Sequence, residues 1–150
     1  MNTEAHQTAP EPALPPPLAE DDLVSVTVKE KWQGAVTDGS GFVALPMALL
    51  RLQTKLKLTA TDMLVLTNLL AHWWSPADGV YPRSTTIAKR MGVTKRTVQR
   101  STQKMLSQGL ITREFLDDGR RVFRFDPLAA QLARDVNLSL QLKGKESLDA

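Results

Sequence analysis

The sequence predicts a mainly α-helical fold with one small β-hairpin. Two observations carry this. Between Pro46 and Val136, apolar residues recur at helical spacing in stretch after stretch, each bounded by capping or breaking residues. The period then changes once, in "GLITREFLDDGRRVFRFDP". There Ile111 and Phe115 fall on one face, Phe123 and Phe125 fall on one face of the next run, and Asp117-Asp118-Gly119 supplies a hairpin turn between them. A chain of 150 residues with 42% apolar content fits one domain plus tails.

The elements follow in order. Residues 1–22 hold five of the nine prolines and several acids, so they bury too little apolar surface to offset ordering entropy and are expected as a disordered tail. "LVSVTVK" alternates Val24, Val26 and Val28 and reads as a strand over Leu23–Lys29. The cluster Asp38-Gly39-Ser40-Gly41 between short apolar runs suggests a hairpin there. Pro46 suits the first turn of a helix near Pro46–Lys55. Thr59 can cap the next helix, with Asp62 near its positive end, and Met63, Leu66, Leu69, Leu70 and Trp73 form a core-facing stripe. "SPADGVYP" breaks it. Ser84 is expected to cap a short helix to Met91, and Thr94 to cap another that runs to Gln108 and stops at Gly109. Asp126-Pro127 opens a last helix with Leu128, Leu132 and Val136. Val136, Leu138, Leu140 and Leu142 also alternate as a strand would, which leaves helix and strand both open for 136–142. As a strand it would pair with Val24–Val28, either within one subunit or across a dimer.

Charge is distributed unevenly. From Gly79 to Arg113 there are eight Lys or Arg and no acid, although the net charge of the whole chain is only +3. Such a segment attracts phosphate. The sequence has no cysteine, no signal-peptide pattern at its start and no stretch of membrane-spanning length, so a soluble cytoplasmic protein is the expectation.

"TTIAKRMGVTKRTVQR" (Thr85–Arg100) explains the basic segment. Two short helices are separated by Gly92-Val93-Thr94, the spacing of a helix-turn-helix, whose second helix enters the DNA major groove. Ala88 is small where the helices cross, and Gly92 tolerates the positive φ of the turn. Ile87, Met91, Val93 and Val98 plug the pair into the core. On the second helix Val98, Ser101, Thr102 and Met105 take one side, while Arg96, Gln99, Arg100 and Gln103 take the other. Arg can pair bidentately with guanine and Gln with adenine. The stretch resembles the helix-turn-helix family pattern residue by residue. It departs at Ser101, where an apolar residue is usual.

Over roughly Gly41–Asp126 the chain resembles winged-helix modules of bacterial regulators and of plasmid or phage replication initiators. "F-x-x-L-P" appears as Phe42–Pro46, and "Y-P-R…I-A…G-V…T-V" runs from Tyr81 to Val98. The resemblance implies a winged helix-turn-helix domain, placed over 23–126; the extra N-terminal strand or hairpin, and a C-terminal helix and tail over 127–150 expected as a dimerisation element, do not belong to the minimal fold and are read from their own apolar patterns. The hairpin would be the wing, with Arg120 and Arg121 at its tip for backbone or minor-groove contact. The expected DNA-binding residues are Arg83, Ser84, Thr85, Thr94, Lys95, Arg96, Thr97, Gln99, Arg100, Gln103, Lys104, Arg120 and Arg121.

Plainer readings compete. A basic helix face can be mere solvated surface, but here a turn pattern and a wing accompany it. Trp73 and Trp74 at a helix end are more often core or interface than base platforms. His72 has no metal-type partner nearby, and Asp117-Asp118 is a turn rather than a carboxylate pair. No phosphate loop, nucleotide fingerprint, metal motif or catalytic set appears, so no cofactor, metal or small-molecule ligand is expected and an enzyme is the weakest class. Three functions remain. The leading one is a sequence-specific regulator of transcription, a repressor, binding double-stranded DNA as a homodimer. A replication-initiation or partition protein on repeated origin sites comes next, and a protein-interaction adaptor without DNA last. RNA binding is set aside because no aromatic-rich exposed sheet is evident.

Overall fold

The computed structural model describes residues 20–36, 41–73, 79–80 and 82–148. The chain divides into two units, Met1–Phe42 and Val43–Ala150. In the first, helix α1 spans Glu20–Trp32 and a 3-10 turn follows at Gln33–Val36. The strand expected over Leu23–Lys29 is therefore helical. Alternation favours a strand only where a neighbouring edge supplies hydrogen bonds, whereas a helix satisfies its backbone locally. Lys29 and Lys31 fall in the last turn of α1, where they complement the helix dipole. Glu20–Asp22, expected in the tail, belong to this helix, and the rest of the expected tail lies outside the described residues. So do residues 37–40 of the expected hairpin turn, but its flanks, Gln33–Val36 and 41–46, are not strands.

The second unit holds α2 (Met47–Leu52), α3 (Ala60–Leu70), α4 (Ser84–Met91), α5 (Lys95–Ser107), β1 (Thr112–Phe115), β2 (Arg121–Arg124) and α6 (Asp126–Leu148). Pro46 stands at the N-cap of α2 rather than inside it. Thr59 caps α3 in a full capping box: its hydroxyl accepts from the Asp62 N–H, and the Asp62 carboxylate accepts from the Thr59 N–H. Met63, Leu66 and Leu69 of the predicted stripe are buried. Trp73 is half-buried and packs on Phe125 with ring centroids 5.4 Å apart, so it belongs to the core; Trp74 lies outside the described residues. The short α4 begins differently from expectation. Arg83 occupies its N-cap with no side-chain cap, and Ser84 is the first helical residue.

β1 and β2 pair antiparallel, with Phe115 opposite Arg121 beside the turn. Val80 adds a third edge that the sequence did not suggest. Its N–H donates to the Phe123 carbonyl at 3.0 Å and its carbonyl accepts from the Phe123 N–H at 2.6 Å. The approach is close: a Cβ at Gly79 would lie 2.5 Å from Val122 Cβ. The face division in the hairpin also differs from expectation. Val122 and Phe125 are buried and Phe123 is half-buried, while Phe115 is 68% exposed although Ile111 is buried. Phe125 lies just past β2, where the strand alternation no longer holds.

Residues 136–142 are helical, within an α6 that continues to Leu148. Leu128 and Leu132 are buried in the common core with Leu49 of α2, and Lys55 Nζ reaches Asp135 Oδ1 at 3.1 Å. A helix docked this firmly over its first turns extends locally, and Val24–Val28 is itself helical within α1. The pairing of 24–28 with 138–142 is thereby excluded within the described residues.

Gly79→Ala should lower unfolding free energy by about 1–3 kcal/mol, because the methyl group overlaps the Val122 side chain and must push the wing away from residues 79–80. Urea titration of both proteins measures this. An unchanged midpoint would mean that the 79–80 edge yields freely.

Candidate nucleic-acid interface

The turn between α4 and α5 is built by one glycine. Gly92 lies in the left-handed region with φ +66°, and the Val93 N–H donates back to the Ala88 carbonyl at 3.1 Å. Ala88 and Ile87 are buried. Thr94 then starts α5 with its hydroxyl accepting from the Thr97 N–H at 3.2 Å. Thr94 and Thr97 also bond hydroxyl to hydroxyl at 3.0 Å. Two of the predicted DNA-binding threonines therefore shape the helix start.

α5 is two-faced. Val98, Ser101, Thr102 and Met105 are buried, while Lys95, Arg96, Gln99, Arg100 and Gln103 are exposed. The exposed set lines one side of the helix with long donors and no acid. Arg83 and Thr85 are exposed at the start of α4, and Ser84 is half-buried. The arrangement can present hydrogen-bond donors to base edges while the start of α4 faces a backbone.

What orients α5 is a buried polar knot that sequence reasoning missed. Asp62, 3% exposed in the first turn of α3, accepts from Ser101 Oγ at 2.7 Å through Oδ1. Its Oδ2 accepts from Lys104 Nζ at 2.5 Å and from the Thr59 N–H at 3.0 Å. Lys104 also donates to the Lys57 carbonyl at 2.8 Å. Burial pushes the Asp62 carboxyl up, but the bonds from Lys104, Thr59 and Ser101 together outweigh it and hold the group at about 2, against an ordinary 3.8. The apolar residue usual at position 101 is a serine because it meets a carboxylate. The signal was present in the sequence as that departure, but its partner is 39 residues away. Lys104, placed among the DNA-binding residues by sequence, is directed inward here and cancels the charge of an acid that would repel phosphate.

At the wing tip, Arg120 folds back on Asp118, donating from its backbone N–H at 3.0 Å and from Nε at 2.6 Å. The backbone bond from Arg120 is the main reason the Asp118 carboxyl titrates below its ordinary range. Arg121 is exposed on the next strand. Outside the predicted set, Arg124 pairs with Glu114 at 2.7 Å, and Arg113 lies over the Phe123 ring, 5.7 Å from its centroid. Arg90 Nη1 lies 3.3 Å from His72 Nε2, which ties the end of α4 to the end of α3.

A family model described as a helix-turn-helix domain matches residues 56–111, from just before α3 to the start of the wing. Within that stretch α4, the Gly92 turn and α5 have a helix-turn-helix fold. With β1 and β2 added, the domain has a winged helix-turn-helix fold. Among solved structures, the chain is similar to the N-terminal domain of DnaD protein from Geobacillus kaustophilus HTA426, with 16% identity, a TM-score of 0.55, and coverage of 85% of this chain and 99% of that one. It also matches a possible transcriptional regulator from Methanosarcina mazei Go1, at 20% identity and TM-score 0.40, covering 65% of this chain and 82% of that one. A MarR-family transcriptional regulator from Silicibacter pomeroyi matches at 20% identity and TM-score 0.38, covering 67% and 64%. No curated protein matches the chain significantly.

The knot makes two linked predictions. Asp62→Ala should destabilise the domain by about 3 kcal/mol at pH 7, since it strands Ser101 and removes the partner of Lys104; that side chain is 37% exposed, so water screens part of the loss. Because the folded pKa lies below the ordinary one, the stabilisation is full above pH 3.8 and disappears as pH falls to about 2. Asp62→Asn should therefore show a flatter stability profile between those values. Equilibrium denaturation across pH measures both, and parallel profiles would show that Asp62 is not the titrating group.

Proposed function

We propose that this protein is a sequence-specific double-stranded DNA-binding protein that regulates transcription as a repressor. The observation that carries the reading is the two-faced α5. Its inner side is held by core packing and the Asp62 bonds, while Arg96, Gln99, Arg100 and Gln103 stand exposed together. Lys95, Arg83, Ser84 and Thr85 flank them as backbone contacts, and Thr94 and Thr97 shape the start of α5. No catalytic role is assigned to any residue. Control would act by occluding a promoter. Genomic binding-site selection with the purified protein tests this. A single consensus upstream of genes supports a regulator; an array of direct repeats would instead place the protein at a replication origin or partition site.

A homodimer fits this function, since one module reads few base pairs and two-fold symmetry doubles the site. The support lies in α6. Beyond Asp135 the helix carries Leu138, Leu140 and Leu142, each more than half exposed. Leu138 and Leu142, one turn apart, share one side of the helix and offer it to a second copy, while Leu140 lies on the opposite side. Because Leu128 and Leu132 are core residues, the segment to remove is 137–150. That truncation should stay folded, sediment as a monomer at micromolar concentration and bind half-sites weakly. A full-length protein that is monomeric both free and on DNA rules the dimer out.

Arg96→Ala, Gln99→Ala and Arg100→Ala should each relax preference at one or two base pairs, by about 1–3 kcal/mol where the contact is bidentate. Arg121→Ala should lower affinity for specific and random duplex alike and reduce the salt slope by about one unit. Arg120→Ala should do less, because Arg120 is already engaged by Asp118. Selection and salt titration with the variants measure these effects. Three recognition-helix variants with unchanged consensus would remove α5 from the interface.

A further inference from the structure

Residues directly opposite in an antiparallel pair share a face, as do residues two apart along a strand. The register Arg113↔Phe123 and Phe115↔Arg121 therefore places four side chains on one face of the wing. The other face carries Val122, which is buried, with Glu114 and Arg124 paired to each other beside it. On the outer face each aromatic ring stands across from a guanidinium. Arg113 already covers Phe123, while Phe115 is 68% exposed beside an exposed Arg121. A single exposed phenylalanine would be ordinary surface. Phe123 is half-buried and packs against the core, but hairpin stability does not demand a second ring at the exposed position 115, where any β-former would serve.

We propose that the outer face of the wing, centred on Phe115 and flanked by Arg113 and Arg121, binds single-stranded DNA by stacking an unpaired base on the open ring. The flat face of a base is available only outside the duplex, where it no longer stacks on its neighbours. The guanidiniums hold the adjoining phosphates. The acids nearest this surface do not oppose it strongly: Glu114 is paired on the opposite face, Asp118 is paired with Arg120, and Asp117 in the turn is the one that makes no ion pair among the described residues. The assignment to DNA rests on the proposed function, in which the same protein meets duplex DNA through α5. This surface shares Arg121 with the proposed duplex contacts, but Phe115 takes no part in them, so its substitution separates the two activities.

The test uses the full chain, fluorescently labelled oligo(dT), oligo(rU) of equal length, and a duplex. Phe115→Ala should weaken oligo(dT) binding about tenfold, the scale of losing one stacked base, and leave duplex affinity unchanged. Phe115→Tyr, which keeps the ring, should bind as the parent does. Circular dichroism and sedimentation of the variants report folding and assembly. Oligo(dT) affinity unchanged in Phe115→Ala overturns the proposal while leaving the duplex reading intact. Phe115-dependent oligo(dT) binding in a protein that ignores every duplex supports the proposal and sinks the duplex reading instead. A preference for oligo(rU) overturns the assignment to DNA, and a loss of self-association in Phe115→Ala without loss of oligo(dT) binding makes the face a protein contact.

Discussion

The Asp62 carboxylate is the point on which the domain turns. A buried charge is tolerated only when hydrogen bonds and an opposite charge compensate its lost hydration. Here the compensation comes from two helices at once. The capping bond with Thr59 fixes where α3 begins, and the bonds from Ser101 and Lys104 fix how α5 is rotated against it. An apolar contact alone would allow α5 to roll by several degrees at little cost. Directional bonds at two positions one turn apart do not. The rotation matters because the opposite side of α5 carries the residues that would meet base edges, where small angular errors break bidentate geometry.

The same knot resolves an electrostatic conflict. A helix start favours an acid, and a nucleic-acid surface does not. Lys104 lets both conditions hold, since the ammonium sits on the carboxylate and on the Lys57 carbonyl together. The wing shows a parallel economy. Asp118 and Glu114 lie among four arginines, and each is matched by Arg120 or Arg124. Arg113 and Arg121, which make no ion pair among the described residues, both lie on the outer face. Charge pairing thus sorts the arginines by face rather than by number.

The wing is also less of an appendage than its two strands suggest. Val80 pairs with Phe123, Gly79 lies against Val122, and Trp73 packs on Phe125. The segment after α3 and the hairpin after α5 are therefore held as one sheet edge and one aromatic contact. From Phe125 the chain passes directly into α6, whose Leu128 and Leu132 close the core. Past Asp135 that core ends, and α6 continues with its leucines exposed.

Local signals in the sequence determined what short-range physics controls. The Thr59 and Thr94 caps, the glycine turn at Gly92, the helix stop at Gly109 and the hairpin turn at Gly119 each depend on a few adjacent residues. Charge counting located the basic segment, and the helical wheel separated the two faces of α5. Alternating apolar residues misled at Leu23–Lys29 and left 136–142 open between helix and strand, because alternation is compatible with a helix whenever no strand edge is within reach. Tertiary structure alone decided the long-range partnerships: Ser101 with Asp62, Lys104 turned inward, Val80 against Phe123, and Phe115 left open beside Arg121. Each depends on which segments meet in space across tens of residues, and no periodicity or local propensity encodes that meeting.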